Sequence, residues 1–354
     1  MLLRVHAGPH SRRHCPVSIQ LELPPNQALI LLQEPGRRPR ACQVETTSAG
    51  SRLWWMLSRL EPGQTMDYRL KRVAHRKQPV SRWRSEEIGP GQWQIALAGV
   101  PVMLSAATKD EAIPKIGPFF APGNTVEQAI GGLRISAALS GISHQRTQVS
   151  TMRPEVGPVF ARLQRRGSWL GPAGEWLADE RVTCTLFATP ARLRLYDFDV
   201  ALHAVAGPVR LATDVTAGLL RIEPGSGPQS APMRKLTNSS GATTLEEVRD
   251  QPAVWVHVAS QSEFAIFDHP SNPGSPNTWR IGDDGVIAAD PFAALAQWRG
   301  RLVDDPPVLA AGEELAFRYR LCLQADDVKQ ASIRAHYLDF AFPPRIEIVE
   351  NTWQ

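Results

Sequence analysis

Apolar and polar residues alternate with a period of two along much of the chain. From Glu314 to Gln324 (ELAFRYRLCLQ), Leu315, Phe317, Tyr319, Leu321 and Leu323 share one face, and Arg318, Arg320 and Gln324 share the other. A repeat sustained that long predicts a β-strand. Ile19, Leu21 and Leu23 repeat the pattern, as do Ile346 and Ile348. Ala253–Val258 (AVWVHV) is apolar on one face and carries Trp255 and His257 on the other. In Arg192–Leu202 (RLRLYDFDVAL) the apolar positions run Leu193, Leu195, then change phase to Tyr196, Phe198, Val200 and Leu202. A one-residue slip moves the buried set to the opposite face, so a β-bulge or a strand changing sheets is expected near Leu195–Tyr196.

Helical signals are scarce. The best is Asp290–Arg299 (DPFAALAQWR), where Asp290 caps, Pro291 suits the first helical position and good helix formers follow. The pattern therefore predicts an all-β fold, a large antiparallel β-sandwich preceded by a small β-sandwich module. A boundary is expected near 74–80, giving a module over residues 1–75 and a larger domain over 76–354. The 26 glycines and 30 prolines are scattered, which suits many turns better than a disordered tract.

Composition and charge narrow the function classes. A net charge of +4 on 354 residues is a poor basis for nucleic-acid binding. The densest basic run, Lys71–Arg84, reads as a solvated strand edge and linker. No apolar stretch has signal-peptide or membrane-span length, so no membrane association is expected and the chain is placed in the cytoplasm. Cys15, Cys42, Cys184 and Cys322 form no CxxC pair and read as buried thiols, with a Cys15–Cys42 disulfide only in an exported protein. His6, His10 and His14 are spaced for one helix face, but Gly8-Pro9 argues against a helix there. No metal site is expected. Nucleotide-loop, zinc and serine-hydrolase motifs are absent, so no cofactor is expected either.

Chemistry concentrates in Phe267–Arg280, FDHPSNPGSPNTWR. His269 is the candidate acid or base, with Asp268 placed to orient its ring. Asn272, and Asn238 in an earlier Ser- and Gly-rich turn, are candidates for bonding sugar hydroxyls. Trp279 and Arg280 pair an aromatic face with a guanidinium, which suits a pyranose. Glu180 is a candidate catalytic carboxylate and Arg221 a candidate substrate-binding cation. Glycoside hydrolysis would require a second carboxylate about 5–9.5 Å from Glu180, with Asp197, Asp199 or Asp268 as the choices.

The same stretch resembles a bacterial family often labelled the PmoA, or methane oxygenase-like, family. The matching features include LADER at Leu177–Arg181, GLLR ending at Arg221, TNSSG at Thr237–Gly241, DHPSNP at Asp268–Pro273, Trp279, ADPF at Ala289–Phe292 and GEELAFRYRL from Gly312. The resemblance implies a β-sandwich related to sugar-active supersandwich folds and a carbohydrate or sugar derivative as partner. It implies no membrane subunit. The family's His-rich stretch, followed by Gly-Leu-Trp, corresponds here to Glu127–Ser143, where Gln128, Ala129 and Ile130 replace the histidines and Arg134 the tryptophan. Two expectations stand side by side. One is an enzyme of glycoside hydrolase or lyase type using His269; the other is a non-catalytic relative that binds a sugar or a protein. The oligomeric state is open.

Overall fold

Glu314–Gln324 is the structural spine of a nine-stranded antiparallel sheet. The structure, a computed structural model, describes residues 1–23, 28–36, 38–48, 50–74, 79–105, 115–120, 132–135, 146–171, 173–211, 219–223, 235–259, 263–292, 308–324 and 330–351. Across the large sheet the strands run Arg146–Thr151, Phe160–Leu170, Trp176–Phe187, Leu193–Ala204, Glu314–Gln324, Glu263–Asp268, Trp255–Ala259 and Lys235–Asn238, with Glu155–Val156 pairing alongside Phe160–Leu170. A six-stranded sheet packs over its inner face, in the order Lys115–Ile116, Gly132–Ile135, Leu220–Glu223, Ile287–Asp290, Thr278–Ile281 and Gln251–Pro252. Between them lies the main core, with Val182, Phe198, Val200, Phe317 and Leu321 from one sheet and Leu220, Ile222, Trp279 and Ile287 from the other. The fold is the all-β sandwich that the alternation predicts.

Leu193–Ala204 differs from expectation. It pairs with both neighbours without a register shift, so there is no bulge at Leu195–Tyr196. The phase change has another cause: the strand begins with both faces covered. Tyr196, Phe198, Val200 and Leu202 face the main core, whereas Leu193 and Leu195 join a second cluster on the outer face. That cluster is closed by a helix the alternation did not reveal. The short helix Leu245–Val248 is α1, and α2 is Gln330–Ala341, which sets Ile333, Tyr337, Phe340 and Ala341 against Phe160, Phe187, Phe267 and Cys322.

The helix expected over Asp290–Arg299 is described only at its start. Asp290 closes a strand and its carboxylate accepts the Phe292 amide at 3.1 Å, as a helix cap does. The rest of that segment lies outside the described residues, as do Arg76 and Lys77 of the basic run. Among the described residues no helix is long and apolar enough to cross a membrane.

The N-terminal strands form two facing sheets around their own core of Leu3, Val5, Val17, Leu31, Leu53, Trp55, Leu57 and Tyr68. One sheet is Arg12–Leu21, Gly50–Leu60 and Cys42–Thr47; the other places Leu2–His6 between Thr65–Arg72 and the last strand among the described residues, Arg345–Glu350. The strand Arg345–Glu350 thus completes the first sandwich, although the sequence pattern alone assigns it to the larger region. All four cysteines are buried free thiols. Trp54 and Met56, on the outer face of the three-stranded sheet, pack on the α2 cluster. Arg12, 3% exposed, bonds Asp339 at 3.2 Å and the Phe342 carbonyl at 2.6 Å, tying the first sandwich to the end of α2.

Candidate functional site

Asp268 ends the strand Glu263–Asp268 and is fully buried. Its Oδ1 accepts from Asn272 Nδ2 and Asn277 Nδ2, both at 2.7 Å, and its Oδ2 from Ser275 Oγ at 2.8 Å and the Asn277 amide at 2.9 Å. The carboxylate therefore winds the Pro-rich loop around itself. Burial pushes its pKa up to about 6 against those hydrogen bonds. Asn272 is equally committed: its Oδ1 accepts the Arg318 amide and its Nδ2 donates to the Arg318 carbonyl, each at 2.7 Å, extending the ladder beside the edge of the strand. Neither side chain is placed to touch a ligand. Asn272→Ala is expected to cost about 1–3 kcal/mol, because the Arg318 amide loses its acceptor and its carbonyl is left with the His269 amide alone at 3.3 Å; chemical denaturation checks this.

His269 points to the opposite face of the sheet from Asp268, so the expected Asp268–His269 pairing does not form. Its Nδ1 accepts from the Ser271 amide at 3.1 Å and lies 2.6 Å from Ser271 Oγ. Nε2 faces Arg318 Nη1 at 3.4 Å, and the ring meets Phe340 edge-on at 5.0 Å. Burial, with the nearby Arg318 charge, lowers its pKa to about 4. The ring is neutral at pH 7 and is too weak a base to suit proton transfer there.

The other sequence candidates are dispersed. Trp279 is 0% exposed and donates to the Ala253 carbonyl at 2.7 Å, a core residue instead of a stacking platform. Asn238 Oδ1 accepts from the Ser240 and Ala242 amides and shapes a turn. Glu180 is 2% exposed and paired with buried Arg165 at 2.6 Å on the inner face. Asp197 and Asp199 occupy the outer face of the same sheet, so neither is the second carboxylate for Glu180. Arg221 and Arg280 do meet, in a cavity on the outer face of the six-stranded sheet. Glu127–Ile130 lies outside the described residues, and no side chain of Gly132–Ile135 is described.

What the sequence reading missed is a polar lattice on the outer face of the nine-stranded sheet. Register places Arg162, Thr185, Asp197 and Arg320 in one row across four strands, and Gln164, Thr183, Asp199 and Arg318 in the next. Paired residues project to the same face, so both rows stand on one surface. Glu45, Arg52 and Trp54 of the three-stranded sheet close over them, leaving a groove of about 360 Å³. Trp54 Nε1 donates to Glu45 at 2.7 Å, and Arg162 bonds Thr185 at 3.2 Å and the same Glu45. Arg320 grips Asp197 beneath, with Nη2 to Oδ2 at 2.8 Å. At the mouth, Arg318 reaches Asp199 at 3.2 Å, both side chains about half exposed. Surrounding protein raises the Asp199 carboxyl above its usual range and Arg318 opposes this; solvent at the mouth limits the rise. His269 sits behind Arg318, at the margin of the groove. Alternating polar residues on a strand normally read as a solvated face, and only the register shows that four strands contribute to one surface.

Fold and groove define a class: a two-part antiparallel β-sandwich protein with a polar cleft between its parts. Residues 141–338, just over half of the chain, match a family of unknown function, DUF6807, and the chain belongs to that family. No curated protein matches it in sequence. Among solved structures the chain is similar to an alpha-mannosidase from Enterococcus faecalis, at 12% identity and a TM-score of 0.52, over 99% of this chain and 46% of that one. It is also similar to a protein of glycosyl hydrolase family 38 from the same organism, at 11% identity and a TM-score of 0.54, over 99% of this chain and 48% of the other. The chain thus spans about half the length of these structures, and the likeness is one of fold. Among the described residues no three His, Cys, Asp or Glu side chains gather as a metal site.

Proposed function

We propose that the protein is a carbohydrate-binding protein whose ligand occupies the groove between Trp54 and the Asp199–Arg318 pair. The observation that carries this is the double row of carboxylate, guanidinium, amide and hydroxyl groups facing a tryptophan across one cavity. Sugar hydroxyls both donate and accept. Planar side chains that do one or the other, beside an aromatic surface for the C–H face, are the groups that recognise them. The groove carries Glu45, Asp197 and Asp199 against Arg52, Arg162 and Arg318, so its formal charges balance and a neutral saccharide fits it best. Its volume lies in the range of small-ligand pockets. The fold likeness to an alpha-mannosidase supports a saccharide over other polyols, as an analogy of fold only.

The arrangement favours binding over catalysis. His269 is neutral and turned toward a guanidinium, and Glu180 is sealed on the other face of the sheet. Titration calorimetry with neutral hexoses and disaccharides tests the proposal. Asp199→Ala, at an exposed position, is expected to weaken binding about tenfold, since two or more charge-assisted hydrogen bonds are lost. Affinity unchanged in that variant removes the ligand from the groove. Turnover of nitrophenyl glycosides by the native protein would overturn the non-catalytic reading.

A further inference from the structure

Arg52, Arg162 and Arg318 line the groove, and Arg52 is held differently from the other two. It lies directly opposite Glu45 in the pairing of Gly50–Leu60 with Cys42–Thr47, a position where opposite charges normally join. Here Glu45 is already engaged. One of its oxygens accepts from Trp54 Nε1 at 2.7 Å and the other from Arg162. The other carboxylates of the groove are committed in the same way, Asp197 to Arg320 and Asp199 to Arg318. Among the described residues no carboxylate pairs with Arg52, an exposed side chain. Its guanidinium stands instead over the Trp54 ring, 6.0 Å from the centroid.

That ring is the aromatic surface of the groove, and its other neighbours are fixed. Phe160 meets it edge-on at 5.8 Å and Phe187 meets it tilted at 6.0 Å, both buried in the α2 cluster. Of the three groups around the ring, Arg52 alone is exposed and able to leave. A pyranose on the ring would take about the 4.5 Å spacing of stacked rings. A guanidinium beyond the sugar would then stand at about twice that distance, so at 6.0 Å the ring cannot hold both. An exposed arginine over a tryptophan is weakly bound, and a better partner displaces it. A flat C–H ring face is such a partner. An open-chain polyol, which offers hydroxyls and no face, is not.

We infer that Arg52 is a specificity-determining residue of the groove. It covers Trp54 in the free protein and yields the ring only to a ligand with an apolar ring face, which narrows the ligand class to cyclic sugars; this rests on the groove being the saccharide site. Titration calorimetry with glucose, maltose, sorbitol and glucuronate tests it on the native protein and on Arg52→Ala. Removing the competitor is expected to tighten glucose and maltose about two- to fivefold, the equilibrium equivalent of an exposed cation–π contact. Sorbitol should show no gain. In a Trp54→Leu background, checked for native melting, Arg52→Ala should make no difference, because no ring remains to be uncovered. Asp199→Ala separates the two readings. If it weakens binding while Arg52→Ala brings no gain, the role of Arg52 alone is overturned. If neither glucose nor maltose binds, or Asp199→Ala leaves affinity unchanged, both readings fall. A gain that persists with Trp54→Leu, or that sorbitol shares, also overturns the role. So does weaker glucose binding in Arg52→Ala, or glucuronate binding the native protein more tightly than glucose, since Arg52 would then be a direct contact to the ligand.

Discussion

Asp268→Ala is expected to destabilise the protein by about 3–5 kcal/mol, read as a fall in denaturation midpoint at unchanged slope. The loss does not come from the charge itself. Burial raises the carboxyl to about 6, so holding it ionised at pH 7 opposes folding. It comes from the donors that converge on those two oxygens: the Asn277 amide and Ser275 Oγ lose their acceptor, and the Asn272 and Asn277 side-chain nitrogens each lose one of two. Asn272 would then hold Arg318 less firmly, and the disturbance would reach the groove. Asp268→Asn keeps the shape but turns one acceptor into a donor facing donors, so it should also destabilise. The pH dependence has a definite sign. The folded pKa lies above the usual 3.8, so the folded state binds the extra proton. This carboxyl's contribution to stability is then fully present below about pH 4 and is lost as pH rises to about 6. Comparing the native protein with Asp268→Ala across that range isolates the slope.

The sandwich was legible in the sequence because its strands bury one face and expose the other, and period-two alternation records that difference. Legibility failed where both faces are covered. Leu193 and Leu195 read as a bulge because α2 covers them, and α2 itself left a signal in Ile333, Tyr337, Phe340 and Ala341. Those positions follow helical spacing, but buried His336 and Asp339 on the same helix blur it. The candidate site was less legible. DHPSNP stood out for polar residues in a loop, and most of them shape the loop. The groove's residues lie on six strands that span most of the sequence, and each pair looks like an ordinary solvated face. Asp197 and Asp199 gain meaning only beside Thr183, Thr185, Arg318 and Arg320, which register supplies and alternation does not.

Arg320→Met is expected to cost about 3–5 kcal/mol, because it leaves the Asp197 carboxylate without its buried partner. Arg320 is 3% exposed and lies over the Phe340 ring at 4.7 Å and the Phe187 ring at 5.8 Å. Burial opposes its charge, but the bonds and charge of Asp197 outweigh that and raise its pKa. The second substitution decides what the pair is for. Asp197→Leu combined with Arg320→Met removes both charges and leaves apolar side chains against Phe187 and Phe340, so most of the lost stability should return. A double variant no more stable than Arg320→Met would mean that the pair organises the surrounding fold. If stability returns while neutral-sugar affinity stays lost, the ion pair is a floor for the groove. Two apolar residues would hold the sheet as well there, yet only the charged pair presents Asp197 to a ligand beside Asp199.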